Sequence, residues 1–133
     1  MGRAEMSGKH PATALGAMRE HPHDPVIYND LGTCCLMADR VESARDCFEK
    51  ALGLCPHFAA AHYNLGVALE RQGLPEDAVG ALRRAIALAP RMGAAHSRLG
   101  DLLQSAGDHE EARACLRRAA ELLANPGERE LAQ

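Results

Sequence analysis

The chain has 133 residues, enough for one domain, and its 15 basic and 18 acidic residues leave a net charge of −3, which argues against a nucleic-acid or anionic-membrane surface. Two Phe, two Tyr and no Trp mean that any core must be assembled from Leu and Ala. No apolar run approaches the roughly 20 residues that span a bilayer, and the opening MGRAEMSGKH lacks the apolar stretch of a secretory signal; a cytoplasmic location is expected.

Residues 1–10 read as a disordered N-terminus. PATALGAMRE, Pro11 to Glu20, reads as a short helix followed by the turn-forming HPHDP. Its Ala17 and Pro22 share a register with Ala51 and Pro56, so residues 11–22 resemble the second helix of an incomplete unit. Asp24 then caps a helix with Pro25 at its first position, running to about Ala38. A second helix spans about Val41 to Leu54, ended by Cys55-Pro56, because the residue before proline is pushed out of helical conformation. These make unit one, residues 25–58. Unit two, residues 59–92, predicts helices over Ala59–Gln72 and Pro75–Leu88. Glu76 and Asp77 suit the positive end of the latter's dipole, and Arg83 and Arg84 lie towards its negative end. Unit three, residues 93–124, predicts helices over Gly93–Ser105 and His109–Leu123, with Asp108 and Glu111 at the spacing of a capping box. Residues 125–133 read as a tail or short capping helix around Leu131. That leaves the outer side of the last full helix (Leu116, Ala120, Leu123) partly covered.

The units repeat one another. Leu31-Gly32, Leu65-Gly66 and Leu99-Gly100 recur every 34 residues, as do Ala44, Ala78 and Ala112, then Phe48, Leu82 and Leu116, then Ala51, Ala85 and Ala119. Such a period signals a stack of equivalent modules. A helix-interior Gly costs about 1 kcal/mol against Ala, so glycines held at one register imply close approach by a neighbouring helix, and the alanines allow the same from the facing side. Leu65, Leu69, Leu82 and Ile86 fill the spaces between modules. The expected fold is all-α, a right-handed solenoid of antiparallel helix pairs with three full repeats.

This pattern resembles the tetratricopeptide repeat family. Unit one carries Tyr28, Leu31, Gly32, Ala44, Phe48, Ala51 and Pro56; unit two carries Leu65, Gly66, Ala78, Leu82, Ala85 and Pro90; unit three carries Leu99, Gly100, Ala112, Leu116 and Ala119, with Ala124 in place of the proline. His62 and His96 hold the early aromatic position of units two and three. The resemblance implies a protein–protein interaction module in which first helices line a concave groove for a peptide or protein segment. The groove positions it implies include Asn29, Thr33 and Met37 in unit one, Tyr63, Asn64, Val67 and Arg71 in unit two, and Arg98 and Asp101 in unit three. Chaperone-tail-binding members hold a carboxylate at registers occupied here by Asn29, Thr33, Asn64, Ala94 and Arg98. Asn64 and Arg98 match, but both lysines and the first asparagine are missing, and losing two cations of three removes most of the attraction for a carboxylate. The text ALGLCPHFAAAHYNLGVALERQG is also similar to the arm of O-linked N-acetylglucosamine transferases. Asn64 sits at their asparagine-ladder position, while Asp30 and Arg98 replace it in the flanking units. Alternatives to the groove reading are an oligomerisation or scaffold element working through exposed repeat ends, and the arm of a larger enzyme such as a glycosyltransferase.

Catalysis is not expected. His62 and His96 lie at a packing register, His57 in a turn between units, and His21 and His23 flank a proline; no HExxH or phosphate-cradling Gly loop is present. No cofactor and no metal site is expected. Cys34, Cys35, Cys47, Cys55 and Cys115 form no CxxC pair and read as reduced, buried apolar residues. The charged second helices (Glu42, Arg45, Asp46, Glu49 and Lys50; Arg113, Arg117 and Arg118) read as solvated faces with i,i+4 pairs.

Overall fold

A computed structural model describes residues 14–124. The disordered start expected for residues 1–10, the Pro11 beginning of the first helix and the cap expected around Leu131 lie outside the described residues. Among the described residues seven helices follow one another and no strand occurs: α1 (Ala14–Glu20), α2 (Pro25–Met37), α3 (Val41–Leu54), α4 (Ala59–Arg71), α5 (Pro75–Leu88), α6 (Gly93–Ala106) and α7 (His109–Ala124). Each full helix lies within a residue of the boundaries its sequence predicts.

Local chemistry sets the ends. The Asp24 carboxylate accepts from the Val26 N–H at 2.9 Å, and Pro25 occupies the first helical turn. The turns inside the three units share one design. The N–H groups of Arg40, Leu74 and Asp108 donate to the carbonyls of Cys35, Leu69 and Leu103 at 2.8, 3.0 and 2.9 Å. These are the long bonds of the Schellman motif. They require a left-handed residue just before the donor, supplied by Gly73 (φ 79°), Gly107 (φ 93°) and, in unit one, Asp39 (φ 63°). One expectation fails for this reason. The Asp108 N–H is already bonded to Leu103, so Glu111 does not complete a capping box; both its carboxylate oxygens accept instead from Arg83 on α5, at 2.6 and 3.2 Å.

Packing follows the repeat. Within each unit the first helix lies against the second, and between units α3 packs on α4 and α5 on α6. On the first-helix side α2 also touches α4, and α1 covers α2. The recurring glycines mark the closest approaches. A Cβ on Gly66 would lie 2.9 Å from Leu82 Cγ and 3.4 Å from the Ala78 carbonyl oxygen; one on Gly100 would lie 2.7 Å from Leu116 Cδ2 and 3.3 Å from the Ala112 carbonyl oxygen; one on Gly32 would run into the Phe48 ring. Each glycine is therefore matched to the large residue and the alanine of its own second helix.

The large residues show what stacking contributes. Phe48 and Leu82 are 0% exposed, whereas Leu116, at the same register of the last unit, is 36% exposed. The first two are sealed by the next unit's first helix, and α7 has no such neighbour among the described residues. The cysteines are free, as expected, but depart from expectation in burial: Cys34 is exposed and the other four are half-buried. Burial, followed by the adjacent Cys35 thiol, pushes Cys47 up to about 11, and burial also raises Cys115. Such thiols are protonated near neutrality and make poor nucleophiles.

Candidate binding surface

The first helices α2, α4 and α6 form one side of the stack, and their side chains knit it together. Asn64 Nδ2 donates to Asn29 Oδ1 at 2.9 Å, joining α4 to α2. At the next junction Arg98 Nε donates to the Tyr63 hydroxyl at 2.9 Å, joining α6 to α4. Both bonds span 35 residues, because Asn29 and Tyr63 share one register and Asn64 and Arg98 share the next. Arg98 also reaches Glu70 at 3.3 Å and lies over the Tyr63 ring, 5.9 Å from its centre. Burial lowers the Arg98 pKa, but the Tyr63 hydroxyl and the Glu70 carboxylate outweigh it and hold the guanidinium above its ordinary value. Arg71 adds a bond from its guanidinium to the Leu36 carbonyl at 3.1 Å.

The predicted groove residues thus divide in two. Asn29 and Val67 are buried, Asn29 by its bond to Asn64 and Val67 by packing. Tyr63, Asn64 and Arg98 are half-buried, Asn64 bonded to Asn29 on α2 and Arg98 to Tyr63 on α4. Thr33 is half-buried, its hydroxyl donating to the Asp30 carbonyl at 2.7 Å. Met37, Arg71 and Asp101 are exposed, with Asp30 beside them. The structure brings the inner group together as cross-links between units and leaves Met37 and Asp101 at the surface, with Arg71 exposed but bonded to the Leu36 carbonyl. An alanine at Arg98 or Tyr63 therefore loosens the junction of units two and three as well as altering the surface.

A second repeated device emerges only in three dimensions. The Tyr28 hydroxyl donates to the Pro22 carbonyl at 3.1 Å, and Nε2 of His62 and of His96 lies 2.9 and 2.8 Å from the carbonyls of Pro56 and Pro90. A carbonyl only accepts, so both imidazoles carry their proton on Nε2. Rings and prolines both recur at the repeat period, so the signal was present in the sequence. What was missing was that the ring six residues on folds back over the turn.

The geometry so far defines an all-α helical-repeat solenoid. Residues 38–92 and 63–126 match the family model described as tetratricopeptide repeat, together more than half of the chain. Over 52 residues the chain is 42% identical to the peroxisomal targeting signal receptor of Candida albicans, a stretch that is 39% of this chain and 9% of that receptor. The Saccharomyces cerevisiae receptor of the same name is 38% identical over 52 residues, 39% of this chain and 8% of that one. The matched stretch is thus less than a tenth of these relatives' length. Among solved structures, MamA superposes with a TM-score of 0.78 at 23% identity, covering 86% of this chain and 67% of that one. YrrB, titled a TPR protein with an unusual peptide-binding site, superposes with a TM-score of 0.80 at 24% identity, covering 85% and 58%. The structural likenesses establish the fold. The chain belongs to the tetratricopeptide repeat family, and its general role is protein–protein interaction.

Proposed function

We propose that the stack holds an extended peptide or protein segment along a concave groove lined by α2, α4 and α6. The observation that carries this reading is the pair of inter-unit bonds, Asn29–Asn64 and Tyr63–Arg98, which fix the first helices as one continuous surface before any partner arrives. A preformed surface avoids much of the ordering cost of association. With the inner polar groups engaged, recognition falls to the outer ones. Asp30 and Asp101 accept from donors, Arg71 supplies a cation, and Met37, 86% exposed, offers an adaptable apolar contact. The names of the matched relatives, a targeting-signal receptor and a protein with a peptide-binding site, support a peptide partner here too. On this reading the module acts in the cytoplasm without a catalytic step, cofactor, nucleic acid or membrane surface of its own.

Panning a random-peptide display library against the protein, followed by calorimetric titration of the selected peptides, tests the groove. The combined variant Met37→Ala, Arg71→Ala and Asp101→Ala should lose binding while melting no lower than Arg71→Ala alone, which removes the bond to Leu36 but keeps the other groove side chains. Retained binding in the combined variant refutes the reading.

One observation favours a second role. Leu116 and Leu123 on α7 are 36% and 59% exposed, the kind of face by which repeat stacks associate end to end. Light scattering across a dilution series distinguishes the two, since groove binding requires no change in mass. The resemblance of residues 51–73 to the arms of O-linked N-acetylglucosamine transferases, read from the sequence alone, would fit a related placement, beside an enzyme domain. The Asn64 amide, tied to Asn29, would then serve the stack rather than a substrate.

A further inference from the structure

The opposite side of the stack carries a feature that the groove does not use. Between units one and two an open cavity of about 450 Å³ lies among α3, α4 and α5. Its walls are apolar, formed by Leu52, Leu65, Leu69 and Ala81, and Glu76, Asp77 and Arg84 stand around it. Two carboxylates there face one guanidinium, so the rim carries an excess negative charge.

Three independent observations indicate what the cavity lacks. The first is a comparison with the next junction. Between units two and three the second helices are strapped by Arg83 and Glu111, two hydrogen bonds at 2.6 and 3.2 Å. The positions that correspond at the first junction are Glu49 and Asp77. Both are acids, and Glu49 turns back to Arg45 on its own helix at 3.1 Å. The carboxylate half of the strap is present and the guanidinium half is missing.

The second is Gly80. Unlike Gly32, Gly66 and Gly100 it has nothing within 4 Å of where a Cβ would sit, so no close approach accounts for a helix-interior glycine here. It lines the cavity, where the corresponding residues of units one and three are Asp46 and Ala114. The missing side chain keeps the cleft open.

The third is His62, whose ring lines the same cavity. It is 7% exposed, and its Nδ1 has no hydrogen-bond partner among the described residues. Because Nε2 donates to Pro56, Nδ1 is an acceptor that awaits a donor.

We propose that this cleft receives an arginine side chain from a basic segment of a partner protein, seated where Arg83 sits at the following junction. The aliphatic stem would lie on Leu52, Leu65 and Leu69, while the guanidinium pairs with Asp77 and Glu76. Its planar fork matches carboxylates in two-point fashion, and it carries five N–H donors, more than one carboxylate consumes. The site is distinct from the groove and lies on the other side of α4.

The test is titration of a short peptide bearing one arginine flanked by leucines into the ¹⁵N-labelled full chain, with a citrulline twin as the neutral isostere. Amide shifts should cluster at Leu52, His62 and Gly80, and citrulline should bind about tenfold more weakly or worse. Gly80→Met fills the cleft with a good helix former and should abolish binding. Glu49→Arg supplies the missing half of the strap and should expel the peptide. Arg84→Ala removes the competing cation and should tighten binding. Equal binding of the citrulline peptide, unchanged binding in Gly80→Met and Glu49→Arg, or the lack of any saturable shift each overturns the proposal. Shifts centred on Met37, Arg71 and Asp101 overturn it too, while leaving the groove reading intact. The Met37/Arg71/Asp101 variant should bind the arginine peptide normally, which keeps the two sites' failures separate.

Discussion

The junction between units two and three is tied on both sides of the stack: Arg98 joins α6 to α4 within, and Arg83 joins α5 to α7 without. The junction between units one and two is tied within by Asn64 and Arg71. Outside, Arg45 bonds Gln72 at 3.0 Å, but among the described residues no side-chain hydrogen bond or ion pair joins α3 to α5. The apolar framework is nevertheless the same at both. Glycine, alanine and one large residue set the spacing of every helix pair, whereas the polar straps are chosen junction by junction. Register equivalence therefore fixes shape and leaves chemistry free, which is how a repeat protein acquires a particular partner.

The sharpest way to break this division is to treat two glycines of unit two alike. Gly66→Leu should destabilise the chain by roughly 3 kcal/mol or more, since overpacking at a closed contact forces helices apart. Gly80→Ala, in open space, should stabilise it by about 0.5–1 kcal/mol through helix propensity alone. Urea denaturation measures both. If Gly66→Leu is tolerated, or Gly80→Ala is equally damaging, then close approach is not what the recurring glycines provide.

The large residues allow the next test. Leu82→Ala should cost about 2–5 kcal/mol, because its cavity is enclosed by units two and three together. Leu116→Ala should cost less, about 1–2 kcal/mol, since part of that side chain is already in water. Equal losses would mean that the last unit is as well sealed as the middle one.

The framework was legible in the sequence and the straps were not, and the reason is physical. A glycine matched to Leu82 or Phe48 must recur at fixed spacing, because every pair of helices meets the same steric limit. Periodicity therefore yields the helix bounds and the core together. Hydrogen bonds across a junction depend on two positions of different register, such as Asn29 with Asn64 or Arg83 with Glu111. No single repeated column carries that information. For that reason Asn29 and Arg98 read only as groove residues, and the bonds that tie them to neighbouring helices went unseen. Glu111 read as a cap for the same reason, since a local partner was visible and the distant Arg83 was not.

A smaller effect separates unit one from the other two at the turn between its helices. Asp39 adopts the left-handed conformation that Gly73 and Gly107 adopt elsewhere. A side chain there is strained, although Asp tolerates it better than most residues. Asp39→Gly relieves the strain but adds freedom to the unfolded chain, so a net gain of a few tenths to about 1 kcal/mol is expected. A loss in calorimetry would show that the Asp39 side chain stabilises its turn by means other than backbone conformation.

The smallest effect concerns the outer strap itself. Hydrogen bonds from Arg83 hold the Glu111 carboxyl below its ordinary value, partly offset by desolvation and reinforced by charge. A carboxylate whose pKa falls on folding contributes stability above its unfolded value, near 4.3. That contribution disappears as pH drops through the lower folded value. Both partners are nearly half exposed, so solvent and salt reduce what the pair can add. Thermal melts of the natural chain and of Arg83→Gln should therefore differ slightly at about pH 7 in low salt and converge as the pH falls below the folded Glu111 value. A gap that persists at low pH would show that Arg83 acts through its stem packing on α7. The missing arginine of the first junction would then have to be judged by shape rather than by charge, and citrulline would seat in the cleft as well as arginine.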